Sequence, residues 1–115
     1  HISHNYHTGA SLYFTFGCRQ IEGRELAQYL YIKKAAEDSF LQNGGTVSHH
    51  HAVGTEHLPW IEADLSPAGL KAVRAIKDGL DPKSVMNPGK ILPGPDPLRE
   101  WGLTDEAIQS FNKAD

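Results

Sequence analysis

Three consecutive histidines, His49, His50 and His51, and a second group near the start, His1, His4 and His7, hold six of the seven histidines of this sequence. An imidazole titrates near neutral pH, so it can give or take a proton under ordinary conditions, and in its neutral form it can ligate a metal. In an extended segment successive side chains alternate, which would put His49 and His51 on one face and His50 on the other. A metal could use the His49/His51 pair, but it needs further ligands, and nothing nearby in sequence has a recognised ligand spacing. No metal is assigned. Acid–base or electrostatic work at a site is the favoured reading of the triplet, and exposed or packed histidines are the plain one. The first histidine group reads as a polar loop. Tyr13 is a third candidate: a phenol on the non-core face of a strand can act as a positioned proton donor or acceptor, although an ordinary strand tyrosine simply packs on a neighbour.

The elements that must position these residues follow from periodicity. Residues 10–18 alternate, with Leu12, Phe14, Phe16 and Cys18 on one face and Tyr13, Thr15 and Gly17 on the other, the period of a half-buried strand. From Arg24 to Gln42 the spacing of Leu26, Tyr29, Leu30, Ala36 and Phe40 is helical, and Asn43-Gly44-Gly45 supplies the stop. Thr46 to His51 reads as a short strand or extended segment running into a turn at Ala52-Val53-Gly54. Ser66-Pro67 predicts a helix start, serine as cap and proline in the first turn. Leu70, Val73, Ile76 and Leu80 continue it as one stripe until Asp81-Pro82. Residues 86–92 are punctuated by proline and glycine and predict an extended loop, prolonged by Pro93, Pro95 and Pro97. Thr104 opens a last helix to about Asn112, with Asp105 and Glu106 placed to complement its dipole.

Composition narrows the class. The chain has 115 residues, 39% hydrophobic and 22% charged, with a net charge of −3. That is the balance of a globular protein and carries no basic excess for nucleic acid. Apolar runs fall far short of the roughly 20 residues that cross a bilayer, and the single cysteine, Cys18, can form no internal disulfide. The chain begins at His1 without a methionine or a signal-like segment, so it is expected to be the carboxy-terminal portion of a longer protein. The arginines Arg24 and Arg74 fall in no motif and read as solvated helix positions.

Taken in order, Ser3-His4-Asn5-Tyr6-His7-Thr8-Gly9, Leu12-Tyr13-Phe14, a helix, and then Asn43-Gly44-Gly45-Thr46-Val47-Ser48-His49-His50-His51-Ala52-Val53-Gly54 resemble the carboxy-terminal region of the alkyldihydroxyacetonephosphate synthase family. Asp81-Pro82 and Asn87-Pro88-Gly89-Lys90-Ile91-Leu92 resemble the ending shared by the wider vanillyl-alcohol-oxidase type of FAD-linked oxidase. The resemblance covers residues 1–92. It implies an α+β fold, the carboxy-terminal part of the cap (substrate) domain, in the order strand-helix-strand followed by helices. Residues 1–60 would belong to the cap, and residues 61–115 would form a helical segment returning to an FAD-binding domain outside this chain.

The resemblance also implies FAD as cofactor and an activity without net redox change, in which the acyl group of acyl-dihydroxyacetone phosphate is exchanged for a fatty alcohol in ether-lipid synthesis. Tyr13, His49, His50 and His51 would be catalytic, Tyr13 exchanging protons at the substrate and the histidines assisting proton removal. His50, His51, Asn87 and Lys90 would contact the cofactor. Implied partners are a small-molecule or lipid substrate and the remainder of the FAD-binding chain, with no nucleic acid and with room for peripheral membrane contact and a homodimer. The location expected is cytoplasmic or membrane-peripheral, and peroxisomal in a eukaryote. The segment alone is expected to be inactive. Two alternatives stay open: an FAD-linked dehydrogenase or oxidase of a 2-hydroxy acid of the lactate or glycolate type, and a small histidine-rich metal-binding or interaction domain.

Overall fold

A computed structural model of the chain describes residues 1–48 and 50–112. His49 lies outside the described residues. The content is mixed, α+β: two strands, β1 (Ile2–Tyr6) and β2 (Gly9–Leu12), precede the helices α1 (Glu25–Gln42), α2 (Ile61–Leu80), α3 (Pro97–Glu100) and α4 (Asp105–Asn112). A single 3-10 turn, Leu58–Trp60, leads into α2.

The strands pair antiparallel as a hairpin, closed by His7 and Thr8. Tyr6 faces Gly9, Asn5 faces Ala10 and His4 faces Ser11, but the next pair is Ile2 with Leu12, so Ser3 is an extra residue that forms a bulge. Of the first histidine group, His4 therefore lies on a strand, with His1 just before it and His7 in the turn, instead of all three in a polar loop, because the alternating Ile2-Ser3-His4-Asn5-Tyr6 finds a partner edge in β2. β2 itself ends at Leu12 and does not run to Cys18. Beyond Leu12 the hairpin continues by a pair of hydrogen bonds, from the Tyr13 amide to the His1 carbonyl at 2.8 Å and from the His1 amino group to the Tyr13 carbonyl at 2.7 Å. Leu12, Phe14 and Phe16 are 56–64% exposed, so the apolar face expected of this segment is not covered within the chain.

α1 forms where the sequence predicts, from a run of strong helix formers without glycine or proline. Glu25 stands in its first turn, and its carboxylate accepts from the Gly23 amide at 3.1 Å. At the other end Gly44 takes a φ of +76°, and the Gly45 amide bonds back to the Phe40 carbonyl at 2.8 Å. A Cβ on Gly45 would stand only 3.0 Å from that carbonyl oxygen, which explains glycine there. Leu30 and Glu37 form the buried side of α1, whereas Leu26 is exposed.

α2 starts earlier than Ser66-Pro67 predicts. Ile61–Leu65 is already helical, and Ser66, with φ 69° and ψ 159°, interrupts the helix and restarts it. Its hydroxyl accepts from the Gly69 amide at 3.3 Å, the cap predicted for it. The apolar stripe is covered only at its start: Leu70 is buried, but Ile76 and Leu80 are 62% and 82% exposed. Asp81 ends α2 as predicted. Residues 86–92 form the expected irregular loop, but the proline-rich stretch after it contains the short helix α3, capped by Asp96, whose side chain accepts from the Arg99 amide. Thr104 caps α4 through a 3.2 Å bond from the Ala107 amide. The core is small: Leu30, Val47, Trp60, Ile61, Leu70 and Leu103, with the Trp60 and Trp101 rings meeting edge to face at 5.3 Å. Among the described residues no helix is long and apolar enough to cross a membrane.

Candidate active site

The hairpin and the histidine segment meet at one point. The bulge at Ser3 decides what the hairpin brings there. In a regular strand His1 and His4, three residues apart, would face opposite ways. The extra residue puts both on the face of Ser11 and Tyr13. The His1 ring stacks on Tyr13 with centroids 5.3 Å apart and planes within 10°, and the His4 ring meets His50 edge-on at 4.4 Å. Tyr6, on the same face, lies 6.5 Å from His4.

The Tyr13 hydroxyl is the centre of the group. It lies 3.1 Å from His51 Nε2 and 3.4 Å from His50 Nε2. A phenol has one proton to donate and lone pairs to accept, so it can donate to one imidazole while accepting from the other, according to their tautomers. The His50 and His51 rings are themselves 4.2 Å apart. Both converge on Tyr13, which corrects the expectation that they would point to opposite faces. The cause is local: residues 50 and 51 form a turn, residues 46–48 form no strand, and Ala52 takes a φ of 71°. A strand needs a paired edge, whereas here side chains capture this backbone.

That capture holds the segment from both ends. Upstream, Val47 is 3% exposed, and Asp64 of α2 accepts from Thr46 Oγ1 at 2.5 Å, from the Ser48 amide at 3.2 Å and from the Ser48 hydroxyl. Burial pushes the Asp64 carboxyl up, but the bonds from Ser48 and Thr46 outweigh it and hold it below the ordinary carboxylate value. Downstream, Glu56 accepts from the Tyr29 hydroxyl of α1 at 2.5 Å, and this bond pushes the tyrosine up to about 12. His57 sits with Nε2 3.3 Å from the buried Glu37 carboxylate and 3.4 Å from Lys33 Nζ. Burial holds its imidazole below the usual histidine range, against the pull of Glu37.

Of the residues singled out from sequence, the structure brings together Tyr13, His50 and His51. It adds His1 and His4, whose role as ring neighbours was hidden by the bulge, Thr46 and Ser48, which were given no role of their own, and Asp64, which carried no motif. Ser48 and Thr46 flanking a histidine run could have been read as segment-fixing hydroxyls; their acceptor, 16 residues on from Ser48, could not. His49 lies outside the described residues. Asn87 and Lys90 are exposed on the loop after α2 and take no part in the Tyr13 group. Asn87 has a φ of 46°, beside the proline-glycine turn of that loop. Among the described residues no three or more histidine, cysteine or acidic side chains are grouped to hold a metal ion.

Comparison with known proteins places the chain in a family. Residues 1–91 match the family of FAD linked oxidases, C-terminal domain. The chain belongs to this family. FAD is the cofactor that membership implies. The chain is 40% identical over 110 residues, 96% of its length, to alkyldihydroxyacetonephosphate synthase of Trypanosoma brucei brucei, and 42% identical over 93 residues, 81% of its length, to the enzyme of that name in Dictyostelium discoideum. A shorter match, 37% over 52 residues and 45% of the chain, reaches the glycolate oxidase subunit GlcD of Bacillus subtilis. The chain spans 18%, 15% and 11% of these three relatives. No solved structure gives a significant match.

The residues present suit a flavin. A flavin is a flat heterocycle whose chemistry moves protons as well as electrons. The exposed His50 and His51 imidazoles, turned to a phenol on a hairpin whose apolar side chains are also uncovered, form a donor set suited to facing such a ring.

Proposed function

We propose that the full-length protein is an FAD-dependent transferase that exchanges the acyl group of an acyl-dihydroxyacetone phosphate for a fatty alcohol, and that this chain supplies the carboxy-terminal part of its cap. Residues 1–60 would lie over the substrate side and residues 61–115 would return toward the FAD-binding domain. The observation that carries the reading is the Tyr13 hydroxyl held 3.1 Å from His51 Nε2 and 3.4 Å from His50 Nε2. In the exchange the bond from the substrate carbon to the acyl oxygen breaks and the fatty acid leaves, a bond to the alcohol oxygen forms, and the alcohol's proton leaves with the acid. A proton must also leave the substrate carbon and return, and a phenol backed by imidazoles can carry it. Tyr13 takes and returns the proton at the substrate. His51 and His50 hold it in the interval and orient the hydroxyl. FAD, when bound, supplies the electron-poor ring against which the substrate carbon reacts. His50 and His51 would face it, with Asn87 and Lys90 as further contacts from the loop after α2.

The alternative is an FAD-linked dehydrogenase of a 2-hydroxy acid, in which the same histidines take the hydroxyl proton. It is favoured by the relatives named glycolate oxidase subunit GlcD and D-lactate dehydrogenase, which match 45% and 48% of the chain. The synthase relatives match 79–96% of it, and the segment from Thr46 to Gly54 resembles that family's carboxy-terminal region, so the transferase reading is preferred. The test is an anaerobic visible spectrum of the full-length FAD-loaded protein. It would be mixed in turn with D-lactate, with glycolate, and with palmitoyl-dihydroxyacetone phosphate plus hexadecanol. Ether product without lasting bleaching is expected. Full bleaching by a hydroxy acid, reversed by an electron acceptor, would establish the dehydrogenase instead.

A further inference from the structure

We propose that Asp64 is a positioning residue for the site: by accepting from Thr46 and Ser48 it fixes where the histidine segment leaves the helices, and so where His50 and His51 stand against the Tyr13 hydroxyl. The inference rests on the acid–base reading of the Tyr13 group.

The geometry gives the reason. Asp64 lies on the first, short part of α2, before the interruption at Ser66, and Ile61, three residues before it on the same helical segment, is 1% exposed. It therefore projects from the best-anchored part of the molecule. Its carboxylate takes Thr46 Oγ1 at 2.5 Å with one oxygen, and the Ser48 amide, at 3.2 Å, and hydroxyl with the other. Bonds to an ionised acceptor are about twice as strong as neutral ones. Two of the three end on Ser48, two residues before His50, and Val47 between the bonded residues is buried. From there the chain enters an exposed turn with no ladder to hold it. A contact such as Tyr13 to His51 at 3.1 Å tolerates little displacement, and a shift of about 1 Å at a reacting pair can cost about 100-fold in rate. Asp64 is not among the partners of the Tyr13 hydroxyl, so it acts through the segment it holds.

The experiment compares Asp64→Ala, Asp64→Asn, Ser48→Ala and the double variant with Tyr13→Phe in the full-length FAD-loaded protein. Each is assayed with palmitoyl-dihydroxyacetone phosphate and hexadecanol, or with the hydroxy acid that bleaches it. The readouts are FAD content and kcat and KM across pH. Asp64→Ala is expected to lower kcat about tenfold or more per bound FAD, to leave KM within about twofold, and to change the pH profile of kcat. Asp64→Asn, which keeps an acceptor oxygen for Ser48, is expected to recover most of the loss. Adding Ser48→Ala to Asp64→Ala should cost nothing further, since both remove one tether. Activity that falls only in proportion to bound FAD, with the pH profile unchanged, would overturn the inference and leave Asp64 as a merely structural residue. If Asp64→Ala does not accumulate, the Asn and Ser48 variants decide by the same criteria. Full turnover in Tyr13→Phe would overturn the acid–base reading itself. Lost turnover in Tyr13→Phe beside an unchanged profile in the Asp64 variants would overturn only the role of Asp64.

Discussion

The hairpin and the helical part of this chain are built on opposite principles. Every residue of β1 is exposed, as are Leu12, Phe14 and Phe16, yet the hairpin carries Tyr13 and two histidines of the site. Around α1 and the start of α2, Ile61, Trp60 and Leu30 are closed off, and the charged groups are tied: Glu37 to Lys33 and His57, Asp38 to Lys34 and the Trp60 indole. The histidine segment belongs to both, exposed at His50 and His51 and anchored at Val47 and Ser48. On the proposed reading the chemistry would sit on the open region, and the closed one would supply its precision. This division suits a cap, whose working face must remain open to a cofactor and substrate while its frame holds the geometry.

Tyr13→Phe should sharpen the contrast most. Removing the hydroxyl that joins His50 and His51 is expected to lower turnover by about 10²–10⁴-fold in the full-length enzyme while leaving bound FAD and unfolding temperature unchanged. A parallel fall in stability would break the contrast. Ile61→Ala should do the reverse, destabilising by about 2–5 kcal/mol in denaturant unfolding through the cavity it leaves. Trp60→Phe keeps most of the apolar contact but loses the 2.8 Å bond to Asp38, and is expected to cost about 1–2 kcal/mol by the same measurement.

The helical part should also carry the acid sensitivity. The Asp38 carboxyl, raised by burial, is brought below its usual 3.8 by Lys34 and Trp60; Asp64 is lowered by Ser48 and Thr46 against its own burial. Asp81, at the end of α2, is held at about 2 by Lys77 and by the Val85 and Met86 amides. A carboxyl whose folded value lies below its unfolded one contributes stability above the unfolded value and loses it as pH falls through the folded one. The unfolding midpoint is therefore expected to fall as pH drops from 3.8 toward 2, with Asp81→Asn flattening the lower end of that descent. The smallest effect should come from His4→Ala. Stability should stay within about 0.5 kcal/mol because the residue is exposed, and turnover should fall less than in Tyr13→Phe, since His4 reaches the site only through the His50 ring edge.

Sequence reading went furthest where the physics is local. The spacing of Leu26 to Phe40 and the Asn43-Gly44-Gly45 stop located α1 to within one residue, and Ser66, Asp81 and Thr104 are the cap or terminus each was read to be. The reading failed where a pattern needed a distant partner. Residues 13–18 alternate like a strand, but among the described residues the ladder reaches only Tyr13, which pairs with His1. Thr46 to His51 looks extended, but its hydroxyls and amide are taken by Asp64. Ile61–Leu65 precedes the marked start of the helix because Ile61 and Trp60 close the core from that side.

The sequence by itself determined α1, the end of α2, the cap at Ser66, the start of α4 and the family, since helix period, caps and turns depend on neighbours a few positions apart. Only the tertiary structure decided which of those residues meet. One extra residue at Ser3 turns His1 and His4 to the face of Tyr13, and a carboxylate on α2 holds the segment that brings His50 and His51 to its hydroxyl. Both depend on strand register and on contacts between residues 7 to 38 positions apart, which a one-dimensional pattern does not encode.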